Sequence, residues 1–381
     1  MSIPHGGKLI DRLVPIQKRI QLADEAKKLP KIELDFELRK DIENIGWGVY
    51  SPLVGPVNRE DYINIINRGR LSDDLPWTVP IVLDVSKEQA LRFQIEDFVT
   101  LSCNSENFAI LNIEEKYEFD KKDLAQKIYK TTDPAHPGVE KINKMKPILI
   151  GGSVQVFNET TSVFQKYRLT PKETRILFRE KKWRTIAGFQ TRNAPHVGHE
   201  YVQKTALSFV DGLFLNPLIG KKKAGDFTDE VIIDTYEKMV QKYFVKNTAV
   251  LVTLEMEMRY AGPKEAIFHA IIRKNFGCTH FLVGRDHAGV GSYYGPYEAQ
   301  EIFNEYPDLG IQPIFFRNFF FCKKCGAPVN EKICPHPESE HIQYSGTKMR
   351  DLLIKGLRPS PEMMRPEVVE AILSHAKPFV E

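Results

Sequence analysis

Gln190-Thr191-Arg192-Asn193-Ala194-Pro195-His196-Val197-Gly198-His199-Glu200 separates two stretches of different periodicity, and that change decides the fold. Before it, Trp183-Arg184-Thr185-Ile186-Ala187-Gly188-Phe189 reads as a short strand bounded by charge. After it, Tyr201, Val202, Thr205, Ala206, Phe209 and Val210 recur at helical spacing, so His196 and His199 sit at or just before a helix start. Free backbone N–H groups and the positive end of the helix dipole collect at such a point and favour an anion. Arg192 adds a charged fork and the imidazoles add donors, which together make a phosphate-handling turn. A His-x-x-His pair alone reads as an ordinary helix cap or zinc ligands; Gln-x-Arg-Asn immediately before it shifts the reading to nucleotide chemistry.

Outward from this turn, strand patterns at Gly212 to Asn216, Ala249 to Leu254, Thr279 to Val283 and Gln312 to Phe316 alternate with helical patterns around 199–210, 228–243 and 263–276. Pro263 suits the first turn of the last helix. Alternation of this kind predicts a parallel sheet covered by helices, with ligands bound beyond the carboxyl ends of its strands. Residues 1–166 are rich in Pro, Gly and short β-type runs such as Val79 to Val85 and Phe108 to Ile113, and predict a mostly β domain with a few helices. The expected division is therefore an α/β multidomain chain: 1–166 β-rich, 167–318 parallel α/β, and 319–381 a small helical C-terminal region with a cysteine-bearing loop.

Gly284-Arg285-Asp286-His287-Ala288-Gly289 follows the apolar strand Phe281-Leu282-Val283. Its glycines allow close backbone approach, Arg285 brings a fixed charge and His287 a donor; a structural Arg-Asp pair closing a loop is the alternative. In Tyr344-Ser345-Gly346-Thr347-Lys348-Met349-Arg350, the hydroxyls suit helix capping as well as phosphate contact. Lys221-Lys222-Lys223-Ala224-Gly225-Asp226 reads as a solvated loop or a guide for a polyanion.

Of five cysteines, Cys322, Cys325 and Cys334 cluster, which fits metal binding better than disulfides. With a histidine they form the ligand set that tetrahedral zinc prefers, closed by protein on all four sides and hence structural. His341 is expected as the fourth ligand because a longer loop wraps an ion more easily, with His336 as the alternative. Cys103 and Cys278 are read as packing residues.

A hydrophobic fraction of 42% with 27% charged residues is that of a globular protein, and no apolar run approaches the roughly 18 residues of a membrane helix. The first residues lack a secretory pattern, so a cytoplasmic location is expected. A net charge of +3, from 53 basic and 50 acidic residues, argues against a general nucleic-acid binder. Neither a Gly-x-x-x-x-Gly-Lys-Ser/Thr loop nor a Gly-x-Ser-x-Gly elbow occurs, so neither a P-loop kinase domain nor the usual hydrolase signature is present.

The Gln190–Asn193 and His196–His199 turn, Gly284–Gly289, Pro4-His5-Gly6-Gly7, Asp133 to Val139, Met258 to Pro263 and Ser345-Gly346-Thr347 resemble, in order, segments of the ATP sulfurylase family. Ala194 stands where the family has proline and Val197 where a basic residue is common. The resemblance implies a PUA-like N-terminal domain, a Rossmann-like nucleotidyltransferase domain and a small C-terminal domain, with a zinc loop similar to that of some prokaryotic members. It also implies the conversion of ATP and sulfate to adenylylsulfate and pyrophosphate with Mg²⁺, and a homodimer. On that basis Gln190, Arg192, Arg285 and the backbone near Ala288 would hold sulfate, with Gly284, Asp286 and His287 completing the binding loop. Asn193 and Thr191 would orient the α-phosphate, and His196 and His199 would stabilise charge on the α- and β-phosphates. Two rivals stand beside this expectation: a nucleotidyltransferase acting on another acceptor, and an RNA-binding module.

Overall fold

The computed structural model describes residues 1–381, the side chain of Thr347 excepted. Its N-terminal part is a five-stranded sheet in the order β1-β3-β4-β5-β2, formed by β1 (Lys31–Glu33), β2 (Leu83–Val85), β3 (Phe98–Cys103), β4 (Glu106–Glu118) and β5 (Ile148–Val156). Around it lie α1 (Ile16–Ala26), α2 (Phe36–Gly46), α3 (Arg59–Arg68), α4 (Lys87–Arg92), α5 (Lys121–Tyr129) and α6 (Pro137–Lys144), more helix than the few expected. Local chemistry sets their starts: the Asp35 carboxylate accepts from Leu38 N at 2.7 Å, and Ser86 with Gln89 forms a capping box.

After α7 (Pro171–Glu180), the second sheet runs β11-β10-β6-β7-β8, with β6 (Ile186–Thr191), β7 (Gly212–Ile219), β8 (Ala249–Leu251), β10 (His280–Val283) and β11 (Gln312–Phe315) all parallel. The short β9 (Leu254–Glu255) extends the pairing of β7. The chain winds from β6 outward to β8 through α8 (Val197–Leu207) and α9 (Asp229–Tyr243). It then returns through α10 (Pro263–Phe276) to the other side of β6. The winding direction therefore reverses between β6 and β10, which opens a crevice at their carboxyl ends.

Alternation along the strands serves both faces. Ile186, Phe214, Phe281 and Val283 pack with Phe268, Ile271 and Ile272 of α10, whereas Ala187, Phe189, Leu213 and Leu215 pack with α8 and α9. Each such fully buried large side chain contributes about 1.5–3 kcal/mol. The α10-side core is continuous with that of the N-terminal sheet. Buried polar bonds add to this seam: Arg259 Nη2 lies 2.7 Å from Asp41 Oδ1, and Asn275 Nδ2 donates to the Val49 and Ser51 carbonyls at 3.0 and 2.9 Å. The short α11 (Glu298–Glu301) precedes β11. The chain then forms a three-stranded antiparallel sheet, β13-β12-β14, from β12 (Phe319–Cys322), β13 (Ala327–Asn330) and β14 (His341–Gln343). It ends in α12 (Gly346–Ile354) and α13 (Pro366–Ser374), the latter against α9.

Candidate active site at the ends of β6 and β10

β6 ends at Thr191, whose hydroxyl oxygen accepts from Asn193 N at 3.2 Å and tightens the turn. His196 is the N-cap of α8: its Nδ1 accepts from His199 N at 3.2 Å. With that lone pair engaged, the neutral ring carries its proton on Nε2, free to donate outward. His199 stacks on His196 at 3.8 Å between ring centres, and Tyr344 lies nearly parallel to the other side of His196 at 5.4 Å. A Cβ on Gly198 would lie 2.4 Å from the Phe319 ring, so glycine lets the first turn of α8 approach Phe319 and Tyr344. Burial pushes the imidazolium pKa of His199 down to about 4 and that of His196 well below its usual value, so both rings are neutral at pH 7.

Arg192 Nη2 pairs with Asp226 Oδ2 at 3.0 Å, and Nη1 meets the Tyr260 hydroxyl. Arg350 Nη1, from α12, lies 3.5 Å from Asp226 Oδ1 and donates to Asn193 Oδ1 at 3.2 Å. Lys223 Nζ sits 4.3 Å above the Tyr260 ring. Gln190 Nε2 is 3.7 Å from Met258 Sδ. Three cations and one carboxylate thus converge on the strand tip. The lysine run is tied down: Lys221 pairs with Glu37 at 2.9 Å and Lys222 with Asp229 at 2.7 Å. Ser345 acts as the cap of α12, its hydroxyl accepting from Lys348 N at 3.3 Å; the Thr347 side chain lies outside the described residues.

At the end of β10, Asp286 and Ala288 adopt positive φ of 52° and 58°. A Cβ on Gly289 would fall 1.9 Å from Asp286 Oδ1, so the aspartate folds over a position only glycine can occupy. The Ala288 carbonyl accepts from Gly262 N at 3.1 Å, tying this loop to the Met258–Pro263 segment. Arg285 is exposed, while His287 turns inward with Nε2 3.1 Å from His269 Nδ1. His269 Nε2 in turn lies 3.2 Å from Glu265 Oε1, and Glu265 accepts from Arg259 N and Ala261 N at 2.9 and 3.0 Å. Tyr260, with φ of 60°, offers its carbonyl to His136 Nε2 at 3.1 Å and to the Tyr294 hydroxyl at 2.9 Å.

The sequence reading missed Asp226 as the partner of Arg192, together with Tyr260, Arg350 and the Glu265–His269–His287 chain. Asp226 and Tyr260 lay within segments already singled out, but their partners are more than thirty residues distant.

In the C-terminal sheet, Cys322, Cys325, Cys334 and His336 place one ligand atom each within 4.8 Å of one another. His336 Nδ1 is 3.4, 3.3 and 3.7 Å from the three sulfurs, and Cys325 and Cys334 are 3.9 Å apart. A tetrahedral zinc with bonds of about 2.3 and 2.0 Å needs separations of about 3.6 Å for S···N and 3.8 Å for S···S, so the donor set fits. The histidine that completes this set is His336 and not the expected His341. That ring is held by β14 flat against Phe320 at 3.7 Å and reaches only the Cys334 sulfur, at 3.4 Å. The turn through Pro335 instead folds His336 back over the thiols.

Residues 165–375 match the ATP-sulfurylase family, and residues 2–159 match a PUA-like domain. The chain belongs to the ATP-sulfurylase family. It is 55% identical over 381 residues to the sulfate adenylyltransferase of Hyperthermus butylicus, covering 100% of this chain and 98% of that protein. It is likewise 55% identical to the sulfate adenylyltransferase of Thermococcus onnurineus, with 100% of both chains covered. Among solved structures, a hexameric APS kinase from Thiobacillus denitrificans shares the fold, with a TM-score of 0.77 and 22% identity over 99% of this chain and 69% of that one. In this member of the ATP-sulfurylase family, no helix among the described residues is long and apolar enough to cross a membrane.

Proposed function

We propose that the protein is a sulfate adenylyltransferase, converting ATP and sulfate to adenylylsulfate and pyrophosphate. The observation that carries this reading is the strand-tip cluster at the β6–β10 reversal, where Arg192, Arg350 and Lys223 gather on Asp226 and Tyr260 next to the capped His196–His199 turn, in a chain 55% identical end to end to enzymes of that name.

Sulfate at neutral pH has no proton to lose, so a general base has nothing to do; alignment and charge stabilisation carry the rate. One sulfate oxygen attacks the α-phosphorus in line, forming the S–O–P bridge as the bond to the β-phosphate oxygen breaks and pyrophosphate departs. Gln190, Arg192 and Arg285, with the Ala288 backbone and the Gly284–His287 loop, hold the sulfate. Thr191 and Asn193 orient the α-phosphate. His196 and His199 donate to the α- and β-phosphates as charge builds on the leaving group; a neutral Nε2–H can do this without a proton being transferred. Each charge-assisted hydrogen bond of this kind is worth about 1.5–3 kcal/mol. Mg²⁺ bound with ATP would neutralise part of the triphosphate charge.

The same reading assigns structural Zn²⁺ to Cys322, Cys325, Cys334 and His336, catalysis to residues 167–318 with a PUA-like unit before and a zinc-bearing unit after, a cytoplasmic location and a homodimer. Pyrophosphate release from ATP and Mg²⁺ tests the reaction, comparing sulfate, molybdate and no added anion. Release only with a tetrahedral oxyanion is the expected result; release without one would point to another acceptor.

A further inference from the structure

Three ionisable residues of α10, Glu265, His269 and Arg273, follow at intervals of four, and all three are fully buried. Spacing of four aligns them on one stripe of the helix. Two have evident partners, since Glu265 accepts from two backbone N–H groups and His269 bridges to His287. Arg273 is different. Its only hydrogen bond is from Nη2 to the Asn216 carbonyl at 3.3 Å, and Nε and Nη1 have no partner among the described residues. No carboxylate pairs with it among those residues either; Glu265 is two turns away and already engaged. Burial pushes its pKa down to about 9, which still leaves it protonated at pH 7.

The direction of the side chain shows what this charge faces. α10 descends from the strand tips, and helical side chains lean back toward the helix N-terminus, here toward the crevice. The Arg273 stem packs on Gly188, where a Cβ would lie 2.8 Å from its Cγ. The guanidinium reaches Asn216, which pairs with Gln190 in the sheet register. Gln190 is the next residue after Gly188 on that same sheet face. A buried cation without a counter-ion is costly, and a bound anion above it would supply one.

We propose that Arg273 is a positioning residue for the oxyanion: an unpaired buried guanidinium beneath Gln190 whose charge is balanced only when a sulfate group occupies the crevice. The assignment rests on the sulfate-adenylyltransferase reading and predicts that Arg273 discriminates ligands carrying the sulfate group from ligands lacking it.

Calorimetric titration with adenylylsulfate and with adenosine monophosphate, which lacks the sulfate, tests this on the full-length protein. Arg273→Met is expected to weaken adenylylsulfate binding at least tenfold and adenosine monophosphate binding less than twofold, with a melting temperature no lower than that of the parent. Arg273→Lys, which keeps the charge, is expected to recover most of the adenylylsulfate affinity. Equal effects on the two ligands, or no effect on either, would overturn the proposal. So would collapse of the Arg273→Met fold, which would show that the guanidinium serves packing. If the parent protein itself fails to bind adenylylsulfate, the functional reading is at fault.

Discussion

The Asp226 carboxylate, in the loop between β7 and α9, holds Arg192 just past the end of β6 at 3.0 Å, so the arginine proposed to hold sulfate is already paired with a carboxylate inside the protein. Asp226 also receives Arg350 and the Lys223 N–H, at 3.5 and 3.3 Å. The carboxylate orients these cations and, on the proposed mechanism, would compete with the substrate for them.

Replacing Asp226 with Asn keeps an acceptor for Lys223 N but removes the charge that aligns the two arginines. Steady-state kinetics should show kcat/KM for sulfate reduced by about 10–100-fold, the scale of one or two charge-assisted bonds. Unchanged kinetics would show that Arg192 finds its working position without Asp226.

Arg192→Ala is expected to lower adenylylsulfate formation by at least about a thousandfold, because on the proposed mechanism it deletes the guanidinium that holds the sulfate as charge redistributes. Arg192 is half-buried at the tip and outside the apolar core, so the far-ultraviolet spectrum and melting temperature should stay near those of the parent. Near-normal turnover in this variant would remove Arg192 from the mechanism.

Chelation should release about one zinc per chain, since the four-ligand set binds a single ion. His336→Ala should lose the metal during purification and His341→Ala should retain it, as read by elemental analysis. The opposite pattern would restore His341 as the ligand.

Stability should fall on mild acidification. His5 is buried, its Nε2 2.7 Å from the Pro76 carbonyl and its Nδ1 3.3 Å from Lys274 Nζ. Burial first, and Lys274 second, push its pKa from 6.5 to about 4. Because the folded value lies below the unfolded one, the unfolded chain takes up the proton more readily. The stabilisation is complete above pH 6.5 and is lost as pH falls toward 4, by up to about 3 kcal/mol. Melting temperatures across that window should be flatter in His5→Gln than in the parent.

Gly188→Ala would put a methyl group 2.8 Å from Arg273 Cγ and 3.1 Å from Cys278 Sγ in a packed layer. A loss of about 1–3 kcal/mol in urea denaturation is expected. Wild-type stability in this variant would mean that Arg273 can shift freely beneath the sheet.

The strands and helices around β6, β7 and β10 were legible because their signal is local: period two, then period 3.6, then a capping residue or Pro263. α2 was not, because Arg39, Lys40, Asp41 and Glu43 within it are charged yet buried, so burial leaves no apolar stripe in the sequence. Two of their partners, Glu255 and Arg259, lie more than two hundred residues away. The same distance hid the clasp of His136 on the Tyr260 carbonyl. The metal-ligand cluster was legible as cysteine spacing, whereas the choice between two histidines depended on how β14 turns His341 onto Phe320. The inward turn of His287 depended likewise on His269, eighteen residues earlier in the chain.

The continuous core beneath α10 joins two families of secondary structure that a reader of the chain would cut apart after residue 166. Heat or denaturant acting on either half must therefore break the apolar layer they share, with the buried Asp41–Arg259 pair inside it. The first half is thus a wall of the half that carries the candidate site, and severing them would expose that layer to water.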